Sequence, residues 1–346
     1  MISGYIYLRH KLKDQNSNEI TTLRQLIVRY RIMLTDPSVL KRIGLLAELT
    51  SPTTDILNDH KFILRKNIGK GYIQKIDLGP SMHIMISQYE LNSEMLLKRP
   101  RVAQEYGGKN IITFSFRDVK RLPSVMVSSA DMDLEIFTPA HIPTSNIIIT
   151  IHSDLLKDLI RPNGAHMPWD NIISGNQPFL YEEISSVEIQ RISLAIINAQ
   201  NTSELNSFYY RIKAEELIFL FFKMFLKRNT IAAYPLNSAD IKVIYQIRDL
   251  IIADLSITPN LSALVELSAM SESKLQRLFK QIFGNTIYNY HQLLRIKEAA
   301  RLIKEENMSV SEAGYKLNFS NLSYFSRLFE KHLGHKPKKY SMLGKS

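Results

Sequence analysis

Hydrophobic and polar positions along this 346-residue chain fall into three successive patterns. From Thr22 to Leu34, and again from Pro37 to Leu49, apolar residues recur at helical spacing with a break at Asp36-Pro37, and Pro52 closes the stretch. This predicts a helical N-terminal extension over residues 1–60. Between Phe62 and about Ile151 the pattern shortens to strands. Asn110–Phe116 and Asn146–Ile151 are the clearest β-branched or alternating runs, punctuated by Gly69, Gly71, Gly79-Pro80, Gly107-Gly108, Pro139 and Pro143. A small antiparallel sheet or barrel is the expectation. Helical periodicity returns near Ser153, with long amphipathic helices expected over Tyr181–Ala199 and Ser203–Lys227. The segment Asn229–Asn237, containing Pro235, reads as a linker. The fold class is therefore α+β. A strand-rich sensor or dimerisation domain with flanking helices is expected over 61–230, and an all-α domain over 238–346.

The helix at Ser203–Lys227 is apolar on more than one side, through Leu205, Phe208, Ile212, Leu217, Phe221, Met224 and Phe225. Such a surface buries against its own domain or serves a partner subunit, and an antiparallel homodimer seam is the expectation that follows.

The sharpest signal is an internal repeat. Ser273-Lys274-Leu275-Gln276-Arg277-Leu278-Phe279-Lys280-Gln281-Ile282-Phe283-Gly284 recurs 50 positions later, from Ser323 to Gly334, with Ser, Arg, Leu, Phe and Gly retained. Tyr290 and Tyr340 share that offset. Each copy follows the pattern of a helix-turn-helix. In the first, Leu261–Ser268 forms a short helix, Ala269-Met270 the turn, and Ser271 the cap of the next helix. Leu275, Leu278, Phe279 and Ile282 then make one buried stripe that Gly284 ends. In the second, Val310, Ala313 and Leu317 line the supporting helix, Asn318-Phe319 turns the chain, and Ser320 or Asn321 caps. Tyr324, Phe325, Leu328 and Phe329 form the stripe, and Gly334 stops it. Asn318 suits a turn position with positive φ.

Residues not needed for packing are free to face DNA. The candidates for base contact are Ser273, Lys274, Gln276 and Arg277 in the first copy, and Asn321, Leu322, Ser323, Ser326 and Arg327 in the second. Arginine suits guanine, glutamine or asparagine suits adenine, and Leu322 could meet a thymine methyl. The simpler alternative for Arg277 and Arg327 is a solvated or phosphate-bound arginine. Lys280, Lys331, Lys336, Lys338 and Lys339 are candidate phosphate contacts.

Charge agrees with this reading. Residues 237–346 hold sixteen Lys and Arg against ten Asp and Glu, so +6 of the formal +11 lies in less than a third of the chain. Zero cysteines remove disulfides, thiolate zinc sites and cysteine nucleophiles together. His83, His141, His152 and His166 show no metal-ligand spacing, and Gly69-Lys70-Gly71 lacks the spacing of a phosphate loop. No metal, cofactor or enzymatic activity is expected. An apolar run long enough to span a membrane is missing, and Met1–Lys13 lacks the uninterrupted apolar core of a secretory signal, so the cytoplasm is the expected compartment.

Taken with these residues, positions 238–341 resemble the DNA-binding domain of the AraC/XylS family of bacterial transcription regulators. The resemblance rests on Leu275–Lys280, Gly284, Tyr290, Leu294-Arg295, Ala299 and Leu302, then Phe319, Tyr324-Phe325, Arg327, Phe329, Gly334, Pro337 and Tyr340. It departs at Asn318, Gly314, Lys336, Glu330 and Ser341, where Gly, Ala, a capping Thr or Ser, Lys and Arg are usual. Glu330 and Ser341 weaken the backbone contacts expected of the second unit.

The resemblance implies seven helices in two units, bridged by a helix around Asn289–Lys304 and entering successive major grooves on one DNA face. It also implies a cupin-like N-terminal domain for sensing or dimerisation. Tyr72–Leu97 resembles, over a short stretch, the sensor of siderophore-responsive members. The partners implied are operator DNA, a small-molecule inducer, a second subunit and, for an activator, RNA polymerase. A ligand sensor predicts a closed apolar cavity within 62–151. The competing readings are a ligand-independent regulator governed by a protein partner or by abundance, and, more remotely, an enzyme in the N-terminal domain.

Overall fold

A computed structural model describes residues 41–44, 61–99, 110–119, 122–160, 178–199, 204–228 and 234–342. The helical reading of 1–40 and 45–60, His166 and the turn at Gly107-Gly108 lie outside the described residues.

Among the described residues ten strands precede the helical C-terminal region: β1 (Lys41–Gly44), β2 (Lys61–Ile63), β3 (Gly69–Asp77), β4 (Met82–Leu91), β5 (Met95–Arg99), β6 (Ile111–Val119), β7 (Ser124–Ser129), β8 (Leu134–Thr138), β9 (Thr144–His152) and β10 (Leu180–Ile184). Seven form one antiparallel sheet in the order β10-β7-β6-β9-β4-β3-β2, and β1, β5 and β8 form a second. The alternation read from sequence sets the faces. On β9, Ile147, Ile149 and Ile151 are fully buried on one side, as a period of two requires. At Gly71 (φ +121°) a Cβ would lie 2.1 Å from the Gln88 carbonyl oxygen on the paired strand, so only glycine fits that register.

Two elements correct the periodicity. Lys41–Gly44, expected to be helical, is a strand paired in parallel with β5. Tyr181–Ile184, expected to open a helix, is the edge strand β10, and the helix begins only at Val187. In both places long-range pairing overrides local spacing. For β10, Ser186 supplies the stop by accepting from the Ile189 amide as N-cap.

Among the described residues three helices accompany the sheets: α1 (Ser153–Ile160), α2 (Val187–Ile197) and α3 (Asn206–Phe225). The buried side of α3, carrying Tyr210, Ala214, Leu217, Ile218, Phe221, Phe222 and Phe225, packs on the large sheet. Phe114 of β6 meets Phe221 and Phe222 edge-on at 5.5 and 6.1 Å. Aromatic rings therefore pack between sheet and helices. The opposite side of α3 leaves Leu205, Phe208, Ile212, Phe219 and Leu226 exposed. Its spacings of 3, 4, 7 and 7 confine these residues to an arc of about 60°.

Seven helices follow: α4 (Ser238–Ala253), α5 (Leu261–Ser268), α6 (Glu272–Phe283), α7 (Ile287–Glu305), α8 (Val310–Lys316), α9 (Leu322–Leu333) and α10 (Pro337–Met342). The core of the first helical unit continues into the strand region, for Met126, Met132, Leu134 and Leu180 join Ile244, Leu278 and Phe283 in one buried cluster. A separate core, with Ile296, Leu302, Phe319, Phe325 and Phe329, holds the second unit. Among the described residues no helix is long and apolar enough to cross a membrane.

Candidate nucleic-acid interface

Both units are built the same way. In the first, Ala269 ends α5 in the left-handed region (φ 52°), Ser271 caps α6 by accepting from the Lys274 amide, and Gly284 stops it at φ 70°. In the second, Ser309 and Glu312 form a reciprocal capping box on α8. Asn318 adopts φ 60° as its sequence position predicts, Asn321 caps α9 by accepting from the Tyr324 amide, and Gly334 stops it at φ 75°. Helices α6 and α9 thus start and end at equivalent positions. In α6 the whole stripe is buried, whereas in α9 Phe325 and Phe329 are buried, Leu328 is half-buried, and Tyr324, expected in the stripe, is exposed.

Helix α7 joins the two units, and it uses Arg295 to fix the second turn. This side chain is 5% exposed, and its Nε and Nη2 donate to the Leu317 carbonyl at 3.2 and 2.6 Å. The guanidinium also lies 3.7 Å above the Phe319 ring, and its Nη1 donates to Gln292 Oε1 at 3.2 Å. The last carbonyls of a helix have no intrahelical donor, so Arg295 satisfies one end of α8 from a neighbouring helix. Beside it, His291 Nε2 donates to the Leu255 carbonyl at 3.1 Å. Burial, aided by the Arg295 charge, pushes this imidazole down to about 4, so it is neutral at pH 7.

The candidate readers occupy unequal environments. On α6, Ser273 and Arg277 are exposed, whereas Lys274 and Gln276 are half-buried. Lys274 Nζ pairs with Asp240 Oδ1 of α4 at 2.9 Å, and Gln276 Oε1 accepts from the Ile287 amide at 3.5 Å. The Arg277 guanidinium stands over the Tyr234 ring, 4.6 Å from its centroid. On α9, Ser323 and Arg327 are exposed and Ser326 half-buried, and all three line one surface concavity with Glu330 and Lys336. Two candidates also serve in structure. Asn321 gives its side-chain oxygen to the cap, and Leu322, which lines the same concavity, approaches Gly314, where a Cβ would lie 2.8 Å from its Cδ2. That contact accounts for glycine at a position where the family resemblance expects alanine. Lys280, Lys331, Lys336, Lys338 and Lys339 are all exposed.

Sequence reasoning missed three groups at the base of this interface. Tyr234 carries Arg277, Asp240 holds Lys274, and Arg228 reaches the end of α6. Arg228 falls between the helix and the linker read from the sequence, where no local pattern marks it.

Two capped recognition helices held by one connecting helix define a double helix-turn-helix DNA-binding module. Comparison with known proteins extends this. Residues 264–342 match a family described as a helix-turn-helix domain. The chain is 36% identical over 73 residues to the probable transcription factor PqrA of Proteus vulgaris, covering 21% of this chain and 60% of that protein. It is 31% identical over 71 residues to the arabinose operon regulatory protein of Escherichia coli K12, covering 20% and 24% of the two chains. With the regulatory protein PchR of Pseudomonas aeruginosa the figures are 29% over 75 residues, covering 22% and 25%. The chain thus spans 60% or less of the length of these relatives. A solved structure of ToxT from Vibrio cholerae aligns with 77% of this chain at 13% identity and a TM-score of 0.30. Residues 264–342 therefore carry an AraC-type helix-turn-helix domain, similar to those of these bacterial regulators.

Proposed function

We propose that the chain is a cytoplasmic, sequence-specific transcription regulator that places α6 and α9 in successive major grooves of double-stranded DNA. The matched capping and stopping of these two helices, each turning polar residues outward, carries the reading. Arg277 and Arg327 are the base readers, with Ser273, Ser323 and Ser326 beside them, while the exposed lysines hold phosphates. Lys274, Gln276, Asn321 and Leu322 are secondary contacts that must share or leave their present partners. A mobility-shift titration against fragments of its own upstream region tests this, with competitor DNA and a salt series. Site-selective binding that survives competitor supports the reading, and sequence-blind, salt-sensitive binding overturns it.

The N-terminal region supports regulation by a second copy and by a small molecule. The exposed stripe on α3 has the spacing of a helix–helix seam, so a homodimer would join there. Light scattering of Phe208→Asp/Phe219→Asp tests it, since both rings are exposed and their loss leaves the fold intact. An inducer would occupy the cleft of about 420 Å³ at the sheet edge, where Tyr72, Gln74 and Tyr210 stand over Ile86 and Ile196. Lys61 sits at its rim, 4.1 Å from the Tyr72 ring centroid. The second reading is a regulator governed by a protein partner or by abundance. A thermal-shift screen of wild type against a Tyr72→Ala variant separates the two. For an activator, RNA polymerase is the further partner.

A further inference from the structure

Three residues beyond the end of α3, Arg228 lies in the junction between the strand region and the first helix-turn-helix, with its side chain only 5% exposed. Its Nε donates to the Glu183 carboxylate on β10. Nη1 donates to the Gln281 carbonyl at 2.7 Å, and Nη2 to the carbonyls of Ile282 at 2.9 Å and Glu182 at 3.1 Å. The rings of Tyr181 and Phe225 face the guanidinium with centroids 5.3 and 5.0 Å away. Gln281 and Ile282 belong to the last turn of α6, whose carbonyls lack intrahelical donors and carry the negative end of the helix dipole. One recognition helix is therefore capped at its C-terminal end by an arginine from outside its own domain.

The surroundings reinforce that anchorage. Gly284 leaves room for it, because a Cβ there would approach Arg228 Nε to 3.0 Å. The Gln281 side chain grips the linker, accepting from the Tyr234 amide at 2.9 Å and donating to the Tyr234 carbonyl at 3.0 Å. On β10, Glu182 receives the Tyr245 hydroxyl at 2.6 Å and Arg248 Nη1 at 3.2 Å, both from α4. Lys297 Nζ of α7 donates to the Ser185 carbonyl at 3.4 Å. In the second unit, Gly334 has no atom within 4 Å of a Cβ position, so among the described residues the equivalent stop is open.

We propose that Arg228 is a positioning residue for DNA recognition, fixing the orientation of α6 against the strand region so that the N-terminal domain sets where the first unit reads. This rests on the DNA-reading assignment above. Arg228 touches no base; it acts through the last turn of α6. Removing it frees α6 to tilt relative to its neighbour, which relaxes base discrimination in the first half-site while the second unit, anchored through Arg295, keeps its own.

The test uses the full chain with Arg228→Met, Arg228→Lys and Glu183→Gln. Binding is measured to an operator fragment and to copies with single-base changes in each half-site. The expected result for Arg228→Met is about a tenfold loss of discrimination in the first half-site with the second unchanged, within the 5- to 150-fold range of intersite coupling. Arg228→Lys keeps the charge but replaces the fork with one ammonium, and falls between. Glu183→Gln, which retains an acceptor, shows the smallest change. Equal loss at both half-sites, meaning simple destabilisation, overturns the proposal, as does unchanged discrimination at the first. Wild-type protein that discriminates at neither half-site overturns the DNA-reading assignment itself.

Discussion

Replacing Arg295 with methionine isolates the joint of the second unit. The substitution keeps an unbranched stem of similar bulk and removes the guanidinium that donates twice to the Leu317 carbonyl. A hydrogen bond from a charged donor contributes about 1.5–3 kcal/mol. A desolvated cation–π contact, here with Phe319 at 3.7 Å, contributes about 2 kcal/mol. Against these stands the cost of burying the charge, visible in the downward push that burial gives Arg295. The net loss is on the order of 2–4 kcal/mol, concentrated at the α8–α9 turn. Hydrogen exchange reads it locally: amides of α8 and α9 should exchange at least about thirtyfold faster, while those of α6 change little. Less than a threefold change in α8 and α9 would show instead that the aromatic core alone holds the turn.

Three further outcomes follow from particular residues. Arg327→Ala should cost about 1–3 kcal/mol of specific binding and relax preference at one base position in a competition titration, whereas uniform weakening on all sequences would assign it to phosphate. Gly334→Ala should cost about 1–2 kcal/mol from left-handed backbone strain alone. Gly284→Ala should cost more because its methyl also meets Arg228, so equal urea midpoints for the two variants would contradict the contact. For His291, a folded value near 4 lies below the unfolded 6.5. Its contribution is complete above pH 6.5 and is lost as pH falls toward 4, by at most about 1.4 kcal/mol per unit. Urea midpoints from pH 7 to 4 should therefore fall less steeply for His291→Gln than for wild type, and parallel curves would rule out this titration.

Much of the DNA-binding region was legible in the sequence because its determinants are local. Caps at Ser271 and Asn321, stops at Gly284 and Gly334, and a left-handed Asn318 each answer to their immediate neighbours. Side chains that reach across the fold were not legible. Leu322 looks free on a helix wheel, yet Gly314 opens a place for it. Lys274 looks like a reader, yet Asp240 lies 34 positions earlier and within 2.9 Å. Strand β10 hid for the same reason, since its pairing with β7 joins residues more than 50 positions apart. The apolar α3 was readable as a helix, but which half of it would pack depended on the position of Phe114.

Hydroxyl-radical footprinting of the full chain on its operator shows how α6 and α9 lie on the duplex. Two recognition helices in successive major grooves predict two protected patches on one face of the duplex, about one helical turn or 10 base pairs apart, with Arg277→Ala and Arg327→Ala each altering only one patch. A single patch, or protection spread evenly along the backbone, would contradict that placement.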